Sequence, residues 1–99
     1  MKELAQLAYE RDLSRSIDVL FNRMNDWKEG KTTVWDIDQS IHEYHDKIAR
    51  SLYRSYAATD IFFAVSFGVA QGVVLLEEVP EDEKAKIQDV AERINRGLS

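Results

Sequence analysis

The chain has 99 residues, of which 44% are hydrophobic and 31% are charged, and its 13 basic and 18 acidic side chains give a formal net charge of -5. This length and composition indicate one small globular domain and exclude a disordered chain. Because the chain has no cysteine, a disulfide framework, a cysteine-ligated zinc site and a thiol nucleophile are also excluded.

Charge and hydropathy restrict the location and the partners that we expect. The first ten residues carry three charged side chains, which is not typical of a signal peptide, and we therefore expect a cytoplasmic protein. The longest apolar stretch, 61–76, is shorter than the roughly 20 residues that span a bilayer. We therefore expect no membrane as partner. None of the segments 1–30, 31–60, 61–79 and 80–99 is net basic, so we expect no nucleic acid either, although Lys47, Arg50 and Arg54 form a local basic stripe.

The first predicted helix covers about residues 2–28 and ends before Gly30, a residue that commonly terminates helices. Its second half carries apolar residues at spacings of three and four, namely Ile17, Leu20, Phe21, Met24 and Trp27.

The second predicted helix covers about residues 33–57 and has the most regular pattern. Thr33 is suited to cap its start, with Asp36 three residues later completing a capping box. Apolar residues then follow at helical spacing and predict one buried stripe, which consists of Val34, Ile37, Ile41, Tyr44, Ile48 and Leu52.

The third predicted helix, about residues 60–77, is apolar on nearly all sides and must be buried within the fold or at a subunit interface. Ala64, Gly68 and Gly72 recur every four residues along it, which favours close approach of a neighbouring backbone. The fourth helix is predicted over about 80–96. The sequence thus predicts an all-α single domain over 1–99, with four helices and a buried third helix.

The densest group of functional side chains lies on the second helix and contains both histidines. It comprises Trp35, Asp38, His42, Glu43, His45, Arg50 and Tyr53. A surface of ion-paired side chains is one interpretation of this group, because Asp38 and His42 are four residues apart. One alternative is a divalent metal site, with His42 and His45, or His42 and a carboxylate, as ligands. The others are a proton-transfer site and a binding surface formed by the aromatic residues Trp35, Tyr53 and Tyr56.

Residues 41–45, Ile-His-Glu-Tyr-His, precede a Leu-Tyr pair at 52–53 and a second tyrosine at position 56. This segment resembles that of small uncharacterised bacterial all-helical proteins. The resemblance implies no activity, and it draws attention to His42, Glu43, His45, Arg50 and Tyr53 as the residues to test first.

These observations favour a helical interaction or assembly module over an enzyme, and we expect a homodimer that pairs through Ala64, Gly68 and Gly72. A metal-binding or acid-base enzyme that uses Asp38, His42 and His45 is the alternative. No cofactor is predicted unless a divalent metal binds at that cluster. A different protein partner, held by Arg50 and Arg54, is a third hypothesis.

Overall fold

The computed structural model describes residues 1–97, and over this range the chain is helical and contains no strand. Its α-helices are α1 (Lys2–Lys28), α2 (Val34–Glu43), α3 (Ala49–Leu52), α4 (Ile61–Ala70) and α5 (Lys84–Asn95). Two π-helical segments, Tyr44–Ile48 and Tyr53–Ala57, flank α3, and two short 3-10 turns, Leu76–Glu78 and Glu81–Glu83, precede α5. Since α2, α3 and the π segments form one continuous rod over 34–57, the described part of the chain has four helical units, which confirms the predicted all-α, four-helix fold.

The end of α1 and the start of the rod lie where the sequence predicts, because each of these two boundaries has a capping residue. Gly30 adopts a φ of +78°, and the N–H of the next residue donates to the Asp26 carbonyl at 2.8 Å, which closes the end of α1. The hydroxyl of Thr33 accepts from the backbone N–H of Asp36 at 3.2 Å and so caps α2. The Asp36 carboxylate accepts from the hydroxyl of Thr32 at 2.8 Å.

The prediction of a third helix that extends to residue 77 is wrong, since α4 ends at Ala70. Gly72 has a φ of +77°, and the N–H groups of residues 73 and 74 both donate to the Gly68 carbonyl. A residue in the left-handed region ends an α-helix, and the apolar residues that follow turn back so that Val74 and Val79 enter the core. The fourth helix also begins later than predicted, at Lys84 rather than residue 80, because residues 81–83 form a 3-10 turn.

One end of the molecule, which we call the body, contains the hydrophobic core. There α4 packs against the first half of α1, the last turns of the rod, and α5. The buried members of this core are Ala5, Ala8, Leu52, Tyr56, Ala64, Val65, Val74, Val79 and Ile87. A Cβ placed on Gly68 would lie 2.8 Å from the Cβ of Ala8, so glycine permits the close approach of α4 to α1.

The other end of the molecule is a two-helix hairpin, residues 16–48, which we call the arm. Between Asp12 and Leu52 the only buried residue is Ile37, because α4 and α5 are too short to reach along the whole of α1. The molecule is accordingly elongated, 51 × 23 × 23 Å, with a radius of gyration of 15.9 Å. A compact chain of about 100 residues has a radius of gyration of about 13 Å. Among residues 1–97, no helix is both long enough and apolar enough to cross a membrane.

Candidate functional site

The predicted histidine and carboxylate cluster lies on the arm, and the structure divides it into two exposed pairs. His42 Nε2 lies 3.6 Å from Asp38 Oδ2, one turn earlier on α2. His45 Nδ1 lies 3.1 Å from Asp46 Oδ1, in the first π segment, and this hydrogen bond lowers the pKa of the Asp46 carboxyl. Asp38, His42 and His45 are therefore not gathered around one point.

The metal and acid-base interpretations need such a gathering. No group of three or more His, Asp or Glu side chains within residues 1–97 is placed to hold a metal ion. The paired side chains are also open to water, since His42 is 71% exposed and His45 is 82% exposed. Exposed pairs of this kind interact weakly because water screens their charges.

The other members of the predicted group are spread along the rod. Trp35, which is 78% exposed, lies near the tip of the arm, whereas Tyr53 and Arg50 lie near the body. At 1.5 Å per residue, roughly 25 Å separates Trp35 from Tyr53. Glu43 accepts a hydrogen bond from the side chain of Gln39, one turn earlier. These residues do not form one site with the histidines.

Ala64, Gly68 and Gly72, the small residues predicted to line one face of the third helix, do not lie on one surface. Ala64 and Gly68 are buried in the body, where Gly68 meets α1 of the same chain. Gly72 lies beyond the end of α4 and has open space around its α-carbon. The close approach that this pattern predicts therefore occurs within the chain, between α4 and α1.

Sequence reasoning did not identify a buried polar group in the body. Asp12, which is 4% exposed, accepts a 2.7 Å hydrogen bond from the Tyr56 hydroxyl and a 3.2 Å hydrogen bond from Arg15. Burial, followed by the bond to Asp12, raises the pKa of Tyr56 well above its ordinary value. The only signal in the sequence is that Asp12 follows Ala5 and Ala8 on the face of α1 that becomes buried.

A second polar contact links α1 to the segment after α4. Arg11 donates from both terminal nitrogens to Glu78, at 2.8 and 2.9 Å, and also to the carbonyl of Val73 at 2.9 Å. The hydrogen bond from Arg11 lowers the pKa of Glu78 to about 2. Arg15 donates to the Gln71 carbonyl just past α4. These contacts join α1 to the segment that follows α4 and so hold the body together.

The arm has two distinct sides. On one side, Arg23 donates to the Ser40 hydroxyl at 3.0 Å, and both residues line a groove that also includes Val19 and Glu43. At about 100° per residue, Ile17 and Phe21 lie roughly 120–160° around α1 from Arg23. Val34 and Ile41 lie roughly 100–120° around α2 from Ser40. All of these apolar residues therefore lie on the other side of the hairpin.

We call this second side the arm face, and it consists of Ile17, Phe21, Met24, Val34 and Ile41. Four of these five side chains are between 42% and 59% exposed. The stripe predicted on the second helix is therefore only partly buried. Its residue Ile37 is covered by α1, while Val34 and Ile41 face solvent.

Comparison of the chain with protein-family models, with curated proteins and with solved structures gave no match. The resemblance drawn from residues 41–45 therefore stays a prediction.

Proposed function

We propose that this protein is a helical assembly module that forms a homodimer through the arm face. The observation that carries the proposal is the amount of surface the chain leaves open. Its accessible area is 6856 Å², whereas a compact monomer of 11.5 kDa exposes about 5,800 Å². This excess of roughly 1,000 Å² belongs to the elongated chain as a whole, and it is large enough to include the area of about 800 Å² that each partner buries in a stable protein interface.

A second copy of the chain suits this face better than a partner of another kind. The face is apolar, so its burial against an equal apolar surface would stabilise the dimer. The gain in free energy is about 25 cal/mol for each Å² of apolar surface removed from water. It belongs to a hairpin with no core of its own, and two such hairpins face to face make a four-helix bundle with a shared core. The expected pairing through Ala64 and Gly68 is replaced here by pairing through the arm, because those two residues already pack within the chain.

The proposal is tested by measuring molar mass with size-exclusion chromatography and light scattering over a dilution series. The expected mass is about 23 kDa, twice that of the chain. Phe21→Glu, in the arm face, should weaken association at least ~100-fold, because an unpaired buried carboxylate costs several kcal/mol. A wild-type mass of 11.5 kDa at submillimolar concentration would refute the proposal.

Val19→Glu is the matched control, since Val19 is 51% exposed on the same helix but lies on the groove side of the arm. It should leave the dimer intact, and circular dichroism should show both variants to be helical. If the dimer survives Phe21→Glu but dissociates with Val19→Glu, the interface lies on the groove side of the arm, and the proposed interface is refuted. The same measurements in the presence of a chelator distinguish this proposal from the metal-binding alternative. A dimer held by a metal ion should dissociate when the chelator removes the ion, whereas a dimer held by the arm face should keep its mass.

A further inference from the structure

The rod changes its helical form at the level where the arm joins the body. Its first π segment, Tyr44–Ile48, contacts α1, and the N–H of Ala49 donates to the carbonyl of Tyr44, five residues earlier. A π turn holds one residue more than an α turn and occurs mostly as a short interruption of an α-helix. Such interruptions are common places for sharp kinks in long helices. The π segment is therefore the place at which the rod bends most easily.

α1 is weakened at the same level by Ser16. The hydroxyl of Ser16 donates to the carbonyl of Asp12, one turn earlier, at 3.1 Å. A serine that bonds back in this way destabilises a helix slightly and often bends it. The bond between Arg23 and Ser40 aligns the two antiparallel helices, so Ser16 lies beside the π segment, about two turns closer to the body. Ser16 and Ile48 accordingly line the same groove.

The contacts that hold each end of the molecule lie on either side of this level. Toward the body, the Tyr56 hydroxyl donates to Asp12, and Arg15 donates to a carbonyl just past α4. Toward the tip of the arm, Arg23 donates to Ser40 and Ile37 is buried against α1. At the level itself, Ile17 is 46% exposed and Ile48 is 43% exposed, so little packed apolar surface opposes a bend.

From these observations we infer that the arm swings on the body about a hinge formed by Ser16 and the first π segment. A hairpin bends as a unit only where both of its helices yield at one level, and hinges are usually a few residues at the ends of such elements. The swing changes the direction of the arm face while the core of the body keeps its contacts. A bend of about 20° would move Lys28, which is near the end of α1, by about 6 Å.

Spin labels at introduced cysteines measure the swing, because the chain has no cysteine of its own. One label is placed at Lys86→Cys in α5 and the other at Lys28→Cys. The control pair combines Lys86→Cys with Glu10→Cys, on the half of α1 that belongs to the body, and all three positions are exposed. The chains carry Phe21→Glu and are diluted into unlabelled chains, so that only distances within one chain are measured. The distances from Lys28→Cys should spread over about 6 Å more than those of the control pair.

Two changes should stiffen the hinge. Ser16→Ala removes the bond to the Asp12 carbonyl and introduces a better helix former. Deletion of Lys47 removes the extra residue of the π turn, so that an α turn can replace it without rotating α2 about the rod. Each change should narrow the distances from Lys28→Cys, and both together should bring them to the spread of the control pair. Ser14→Ala is the matched control, because Ser14 is exposed on the same helix, and it should change nothing.

Either of two results would overturn the hinge. One is a spread from Lys28→Cys that is no larger than that of the control pair. The other is a large spread that neither Ser16→Ala nor the deletion narrows, because the motion would then arise elsewhere in the arm. Circular dichroism shows whether each variant is helical, and Ser16→Ala adds no bulk, so it decides the test if the deletion unfolds the arm. The hinge does not depend on the proposed homodimer, which the molar mass tests separately.

Discussion

Replacing Tyr56 by phenylalanine tests whether the buried hydroxyl contact stabilises the body. The variant keeps the ring, which stacks on Tyr9 at 5.5 Å and meets Phe67 edge-on at 5.2 Å. It removes only the hydroxyl that donates to Asp12 at 2.7 Å. The carboxylate, itself almost fully buried, then keeps Arg15 as its only side-chain donor.

The expected loss follows from the charge on the acceptor. A hydrogen bond to a charged group contributes about 1.5–3 kcal/mol, and we expect Tyr56→Phe to lower the free energy of unfolding by about 2 kcal/mol. A chain of this length has an unfolding entropy of about 0.2 kcal/mol/K, so the melting temperature should fall by about 10 °C. Thermal and urea unfolding, at one fixed protein concentration, measure both quantities.

Tyr53→Phe is the matched control, because Tyr53 lies three residues earlier and is 55% exposed. It should change the free energy of unfolding by less than about 0.5 kcal/mol. The reasoning is refuted if Tyr56→Phe is equally mild, or if both variants are equally destabilised.

The raised pKa of Tyr56 provides a further check of the same contact. The contribution of the Tyr56 hydroxyl to the free energy of unfolding should be present below about pH 10 and lost at higher pH. The phenylalanine variant should lack this loss of stability at alkaline pH.

Two further predictions concern the contacts that hold α1 in the body. Gly68→Ala should cost about 1–3 kcal/mol, because the added Cβ would lie 2.8 Å from that of Ala8, and adding Ala8→Gly should recover part of the loss in urea unfolding. A full loss in the double variant would contradict close packing as the cause. Since the pKa of Glu78 beside Arg11 is lowered to about 2, its stabilisation should be complete above about pH 4.5 and disappear toward pH 2. Unfolding of Glu78→Gln across that range should show a smaller loss with acid, and an unchanged loss would contradict the assignment.

The sequence predicts the fold well where a boundary depends on neighbouring residues. α1 and the rod have the expected bounds because Gly30 and Thr33 act through adjacent backbone groups. The end of α4 was missed, because an apolar run looks the same in a buried helix and in a buried turn. The signal was Gly72, because a glycine readily adopts the positive φ with which many α-helices end.

The candidate site depends on distances along the molecule that periodicity does not give. The stripe of α2 indicates correctly which face is apolar, but its burial depends on a neighbour long enough to cover it. α4 has 10 residues and α5 has 12, against 27 in α1, so Val34 and Ile41 lie beyond their reach. The histidines were grouped by their position on an ideal α-helix, whereas His45 lies in a π segment and pairs with Asp46.

The division into a body and an arm also sets how the native molecule fluctuates. Amide hydrogens exchange with solvent through openings whose free energy reflects the local buried contacts. Since only one residue is buried between positions 13 and 51, we expect amides of the arm to exchange faster than those of α4, which packs in the core of the body. Covering the arm face should therefore slow amide exchange in the arm more than in any other part of the molecule.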